Sequence, residues 1–271
     1  MKDLEDNEIR VIGSPSPQPR HGRWWVAVLV IVVVVAMVAL VLGKASQKEI
    51  PSESQPAVSQ ESPAAPAVET GGCLTIIDTL INDVPLTLYW VDNVKASLQI
   101  GLPDAEDTAL VLAVMAADIR ADNGGIVGDF VIDGRQLARG ERKEGYCALL
   151  EGTPVIGHGD KEMLEQVLSR GGSFFRQYVL VDKGVATPPK PKGKNHRRAL
   201  CLQGGRLFVV ASGDRESYHD FATALADLGV EEAIALVGSE SLLMYRAEGG
   251  LLYSVGSPFD SPNANFLVWR R

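Results

Sequence analysis

The sequence predicts an α+β fold: a mixed, largely antiparallel sheet with a few packed helices, behind one N-terminal transmembrane helix and a disordered linker. Three observations carry this. Residues 24–42, WWVAVLVIVVVVAMVALVL, are apolar and hold no charge. Residues 43–70 are dominated by Ser, Pro, Ala, Gln and Glu. From residue 71 to 271, short strand-like runs outnumber helical ones and are joined by Gly, Asn and Asp turns, which is the pattern of hairpins rather than crossovers.

At about 1.5 Å rise per residue the run 24–42 spans roughly 28 Å, close to the hydrocarbon core of a bilayer. Small residues around Gly43-Lys44-Ala45 offer a rival reading, a cleaved signal peptide. The run is longer than the about 7–15 residues of a signal core, and the polar tail 1–23 is long, so an uncleaved anchor is expected. Arg10, Arg20 and Arg23 precede the run, and Lys44 and Lys48 follow it. That asymmetry puts the tail in the cytoplasm, with Trp24 and Trp25 at the interface. Residues 71–271 are then expected outside the cytoplasmic membrane, held by a single pass. The linker 43–70 has too few bulky apolar residues to offset its chain entropy and reads as an extended tether.

A net charge of −8 argues against a general nucleic-acid binder. The one basic run, KPKGKNHRR at 190–198, reads as a solvated loop or as a dock for a phosphate-bearing ligand. Cys73, Cys147 and Cys201 all follow the span. On an oxidising side a Cys147–Cys201 disulfide is one expectation, and buried free thiols are the other. The cysteines lack zinc-finger spacing and the four His are scattered, so neither a metal nor a cofactor is expected.

Along the domain, TIIDTLI and LTLYWV alternate apolar and polar residues and predict a hairpin turning at Asn82-Asp83. DAEDTALVLAVMAADIRADNGG reads as a helix capped by Asp104 or Asp107, with Leu110, Val111, Val114 and Ala117 on one face and Gly124 as its stop. IVGDFVIDGRQL is a strand, a glycine turn and a second strand. GYCALLEGTPVIG is a hairpin around Glu151-Gly152. KEMLEQVLSR is a short amphipathic helix stopped by Gly171. SFFRQYVLVDKG reads as strand, with its paired Phe as core or as a sugar platform. RRALCLQGGRLFVVAS is a hairpin. DRESYHDFATALADLG is a helix capped by Ser212 or Asp214, with Tyr218, Phe221, Leu225 and Leu228 on its apolar face. AIALVG, SLLMYR and NFLVWR close the chain as strands.

One stretch points to chemistry. The apolar run Ala233–Val237 stops at Gly238-Ser239-Glu240-Ser241. Small and polar residues at a strand end let backbone N–H groups and hydroxyls surround a ligand. YVLVDKG, RRALC, RLFVVAS, ESYHDFATALADLG and AIALVGSES also follow one another in a recognisable order. This series resembles the phosphodiester glycosidase family, over roughly residues 110–271. The family pattern is an Asn-Gly-x-Phe strand, an LV-x-x-G strand, Arg-Thr-Ala-Ile-Gly, a strand, a helix ending in Leu-Gly, and Leu-Asp-Gly-Gly-Gly-Ser. Here Val237 stands at the family's Asp, and Ser239 and Glu240 at two of its glycines. Asn-Gly-x-Phe falls either on Val127-Gly128-Asp129-Phe130 or on Asn123-Gly124.

The resemblance implies hydrolysis of the glycosidic bond in a sugar-1-phosphodiester, with a phosphate monoester leaving. Arg197, on the family's Arg, would hold that phosphate through its bidentate fork. Glu240 would supply the displaced carboxylate, with Asp129 and Asp122 as further candidates. Asn123, Gly128, Gly238, Ser239 and Ser241 would admit and bind substrate. The implied partners are a phosphorylated sugar or glycan and, through residues 24–42, the cytoplasmic membrane. Each residue also has a plain reading. Glu240 is then an exposed loop acid, Arg197 a strand-end charge and Asp129 a turn residue, and the serines close a turn. Loss of the Asp at Val237 leaves a second expectation, an inactive phosphoglycan-binding or structural envelope protein.

Overall fold

The computed structural model describes residues 74–271, except 152, 160 and 248. The apolar run 24–42, its flanking tail, the linker 43–70 and Cys73 lie outside the described residues.

In chain order, the first strands are β1 (Leu74–Ile81), β2 (Val84–Val91), β3 (Lys95–Ile100), β4 (Leu110–Met115), β5 (Phe130–Ile132) and β6 (Arg135–Ala138). Then come β7 (Gly145–Leu150), β8 (Thr153–His158), helix α1 (Lys161–Arg170), β9 (Ser173–Gln177), β10 (Val179–Asp182) and β11 (Val185–Ala186). The rest are β12 (Asn195–Gln203), β13 (Arg206–Glu216), helix α2 (Tyr218–Asp227), β14 (Glu232–Leu236), β15 (Leu243–Arg246), β16 (Leu252–Val255) and β17 (Asn265–Arg270).

They form three sheets with orders β1-β2-β13-β12-β14-β10-β11, β16-β15-β4-β17-β3 and β6-β5-β9-β7-β8. Every strand pair is antiparallel. The expected α+β fold with a transmembrane helix is therefore corrected. The described residues form antiparallel sheets with only two ten-residue helices, and no described helix is long and apolar enough to cross a membrane.

The largest correction concerns residues 110–115, which form β4 and not a helix. Val111, Leu112 and Val114 enter one core, and Leu110, Ala113 and Met115 another. A strand buried on both faces has no polar alternation, and its apolar run imitates a helical stripe. Asp104 and Asp107 do cap, but they cap turns: their carboxylates accept from the N–H of Glu106 and Ala109 at 2.9 Å each.

The seven-stranded sheet has two different faces. On β12, Leu200 packs inward against Phe130, Phe175 and Leu267 of the other sheets. Its neighbours Ala199 and Cys201 face α2 through Phe221 and Leu225. α1 covers the third sheet, with Val167 against Val131 and Phe174. The paired Phe of β9 is core on both sides.

The predicted hairpins at Asn82-Asp83, Gly134 and Gly204-Gly205 form, and β7 pairs with β8 as the hairpin reading of GYCALLEGTPVIG expects. Asn82 and Asp83 both take positive φ, 50° and 62°, as a two-residue turn matched to strand twist requires. SFFRQYVLVDKG is two strands that part at Tyr178 to join different sheets. α2 is capped by Ser217, whose Oγ accepts from Asp220 N–H, because β13 continues to Glu216. Cys147 and Cys201 are free and buried, one in the third sheet and one on the α2 face of the first, so the Cys147–Cys201 bond does not form.

Candidate functional site

Several strand ends converge at one side of the fold. β14 runs out into Val237–Ser241, β4 into Ala116–Asp118, and β12 enters at Asn195–Arg198. Val237 N–H donates to Met115 O at 3.2 Å, and Ser239 N–H to His196 O at 2.7 Å. These bonds hold the 237–241 loop against both neighbours. The approach at Gly238 is too close for a side chain, since a Cβ there would lie 2.3 Å from His196 O. Ser239 takes φ 58°. The loop is pinned from below by Arg198, whose Nη1 donates to Ser241 O at 2.7 Å and to Ser241 Oγ at 2.8 Å. Ser241 Oγ in turn donates to Val237 O. Arg198 is only 5% exposed, and burial brings its guanidinium down to about 10.

This loop walls a cleft of about 510 Å³. Gly238, Ser239, Glu240 and Ser241 form one side. Met115, Ile119, Val127 and Phe259 make much of the remainder apolar, and Asp118 is the other carboxylate. Ser257 N–H donates to Glu240 O at 2.7 Å and fixes the segment that carries Phe259.

Asp118 is held, not free. Lys143 Nζ bonds its Oδ2, and Gln177 Nε2 donates to its Oδ1 at 3.1 Å. Lys143 also donates to Gln177 Oε1 at 3.0 Å and lies 4.8 Å from the centre of the Tyr178 ring. Burial lowers the Lys143 ammonium below its usual range and outweighs the attraction of Asp118. Tyr178 meets Tyr218 edge-on at 6.1 Å, and the Arg197 guanidinium stacks on Tyr218 at 3.7 Å. Burial raises the Tyr218 phenol, with Arg197 opposing. Asp118, Lys143, Tyr178, Tyr218 and Arg197 thus form a continuous row. The backbone of Ala117 behind Asp118 is fixed on both sides by Asn265, which accepts from its N–H at 2.7 Å and donates to its C=O at 3.0 Å.

The structure brings together Glu240, Gly238, Ser239 and Ser241 among the residues the sequence singled out. Glu240 is exposed at the cleft wall. Arg197 sits on the α2 face of β12, where its guanidinium also donates to Glu216 O and Gly193 O. Its neighbour Arg198, on the opposite face, meets the loop. Asp129 lies elsewhere, directly before β5 of the third sheet. It is 6% exposed, paired with Arg176 at 2.8 Å, and accepts from Gln136 and Gly140. Gly128 beside it takes φ 89° against Arg176 and Arg142 O. Asp122 and Asn123 occupy an exposed turn. The hydrogen bond from Arg120 lowers the Asp122 carboxyl, and Asn123 Oδ1 accepts from Gly125 N–H.

Asp118, Lys143, Gln177, Tyr178 and Arg198 were not singled out from sequence. The available signal was an acid directly after the apolar run Leu110–Ala117, the same arrangement that marks the 237–241 loop. Among the described residues, no three His, Cys, Asp or Glu converge as a metal set.

Fold and cleft together define an antiparallel β domain with a strand-end site that combines a carboxylate, an ammonium and a small-residue loop. No family model and no curated protein matches the sequence. Among solved structures, the chain is similar to the zebrafish N-acetylglucosamine-1-phosphodiester alpha-N-acetylglucosaminidase catalytic domain, auto-inhibited by its pro-peptide. The TM-score is 0.51 at 14% identity, over 74% of this chain and 82% of that one. It is also similar to a hypothetical protein from Synechocystis, with TM-score 0.46 at 14% identity over 73% and 62% of the two chains. The first likeness is a distant relationship of fold, and the second carries no argument.

Proposed function

We propose that this domain is a phosphodiester glycosidase-like hydrolase that cleaves the glycosidic bond of a sugar-1-phosphodiester, and that its working carboxylate is Asp118. The observation that supports this reading is the placement of Asp118 in the same cleft as the Gly238–Ser241 loop, with Lys143 at its back. In this fold a sugar phosphodiester is also the substrate named for the zebrafish domain. In this reading water attacks the anomeric carbon, and Asp118 or Glu240 takes its proton. The C–O bond to phosphate breaks, and the leaving phosphate monoester carries off the electron pair. Lys143 offsets the charge that develops on it.

A second reading has its own observation. Val237, at the position of the resembling family's Asp, packs with Met115 and Phe266 in an apolar cluster and has no proton to exchange. In that reading the domain binds phosphoglycans without cleaving them.

The test is turnover of a panel of sugar-1-phosphodiesters by the full-length protein, with Asp118→Asn and Glu240→Gln beside it. The hydrolase reading expects Asp118→Asn to lower kcat by about 10²–10⁴-fold, the usual worth of a positioned acid or base, with the melting temperature checked in parallel. Saturable binding of the intact diester without turnover would favour the second reading. Neither binding nor turnover would overturn both.

A further inference from the structure

We infer that a second cleft, adjoining the first across the Asp118–Lys143 pair, receives the anionic phosphate-bearing half of the substrate. Lys190 of the Pro-rich basic loop supplies its outer cation. The inference rests on the hydrolase reading of the Asp118 cleft.

The second cleft encloses about 640 Å³. Lys143 and Tyr178 form its inner wall, and Thr187 through Pro191 its outer wall. The two clefts share a partition. Asp118 faces the first, its partner Lys143 faces the second, and the Lys143 side chain is only 6% exposed. A ligand occupying both must place its central linkage at that pair, where the carboxylate and the ammonium stand side by side. The first cleft is mainly apolar apart from its loop and Asp118, and suits a sugar face. The second has the buried Lys143 at its inner wall and the exposed Lys190 at its outer wall, against one carboxylate, the solvent-exposed Glu144.

Lys143 has a further reason to accept an anion. An ammonium has three N–H donors. Two meet Asp118 and Gln177, and the nitrogen lies 4.8 Å from the centre of the Tyr178 ring on the side of the second cleft. The outer wall is stiff. Pro188, Pro189 and Pro191 fix φ on both sides of Lys190, so the side chain is presented with less backbone entropy to lose. Thr187 N–H donates to Leu180 O at 2.8 Å, which anchors the loop to β10. The basic run 190–198 thereby divides. Lys190 faces the cleft, Lys194 pairs with Glu216, and Arg197 joins the aromatic row.

The experiment titrates methyl phosphate, a minimal form of the leaving group, into full-length protein by calorimetry. Wild type, Lys190→Glu and Asp118→Asn are compared at low and moderate salt. The expected result is saturable, salt-sensitive binding that Lys190→Glu weakens about tenfold or more, since reversing a charge at an anion site changes attraction to repulsion. Asp118→Asn should leave binding intact or tighten it, because it removes a negative charge beside Lys143. No binding, or a Kd unchanged in Lys190→Glu, overturns the inference. Lys190 is exposed in a loop, so its substitution does not threaten folding. Phosphate binding that depends on Lys190 in a protein without turnover would sink the hydrolase reading and leave the anion cleft standing.

Discussion

Replacing Asp129 by asparagine should unfold the domain far more readily while leaving the cleft chemistry untouched. The Asp129–Arg176 pair is almost dry, with side chains 8% and 4% exposed. The carboxylate accepts from Arg176 Nε at 2.8 Å, Gln136 Nε2 at 3.2 Å and Gly140 N–H at 3.1 Å. Asparagine keeps one acceptor oxygen for Gln136 and Gly140 but turns an amide donor toward the guanidinium. Arg176 is then a buried charge without its counter-ion. Breaking a buried pair in this way costs about 3–5 kcal/mol. For a domain of this size each kcal/mol lowers Tm by about 2–4 °C, so a fall of roughly 6–20 °C is expected. Thermal unfolding followed by circular dichroism measures it, with urea midpoints as a check. The double variant Asp129→Leu with Arg176→Met should regain most of the loss, since an apolar pair of similar volume removes both desolvation penalties. A Tm for Asp129→Asn within about 2 °C of wild type, or a large loss of turnover at unchanged Tm, would refute this placement of Asp129 as structural.

Other substitutions probe the loop, the pH response and the thiols. Gly238→Ala puts a Cβ 2.3 Å from His196 O, a backbone atom that cannot swing away. A loss of about 1–3 kcal/mol is expected, together with faster hydrogen exchange at Ser239 N–H. Asp107 is held below its ordinary value of 3.8 mainly by its hydrogen bond from Arg270. Its folded pKa is below its unfolded one, so its stabilisation is complete above the ordinary value and is lost as pH falls through the lowered one. The Tm difference between wild type and Asp107→Asn should accordingly vanish in acid and be constant at neutral pH. Burial pushes the Cys147 thiol up to about 12 and Cys201 well above the ordinary thiol range. Mass mapping after iodoacetamide treatment should find both unmodified in native protein and both alkylated in denaturant.

The legible parts of the fold were those whose signal is local. Asn82-Asp83 and Gly204-Gly205 supply the positive φ that their turns need, and α1 and α2 show a helical period beside a polar face. β4 was illegible because both its faces are buried, one against the other sheets and one among side chains of its own sheet and adjoining loops, and neither set of contacts is visible from neighbours in sequence. Tyr178 parts two strands without a glycine or proline to mark the break. The site divides in the same way. Gly238–Ser241 was legible because small residues follow an apolar strand directly. Asp118 was hidden inside the segment that read as helix. The choice between Arg197 and Arg198 depends on which face of β12 meets the core, and that follows from its pairing with β13 and β14, including the irregular register between His196 and Arg198. Adjacent residues on a strand point to opposite faces, so a similarity aligned one residue away selects a different environment.

β17 lies between β4 and β3, although it is the last strand of the chain and they are among the first. It contributes Phe266 and Val268 to one core and Leu267 and Trp269 to another, and Asn265 on the same strand fixes Ala117 beside Asp118. During synthesis, β4 therefore waits for more than a hundred residues to be added before its neighbour exists. Until then its buried edge can pair with another chain. A ribosome-stalled chain ending before Asn265 should have no settled cleft and should aggregate, and the step that closes the sheet also seats the carboxylate. Closure of this sheet and ordering of the candidate site should therefore be one late, long-range event, of the kind that makes β-rich domains slow to fold.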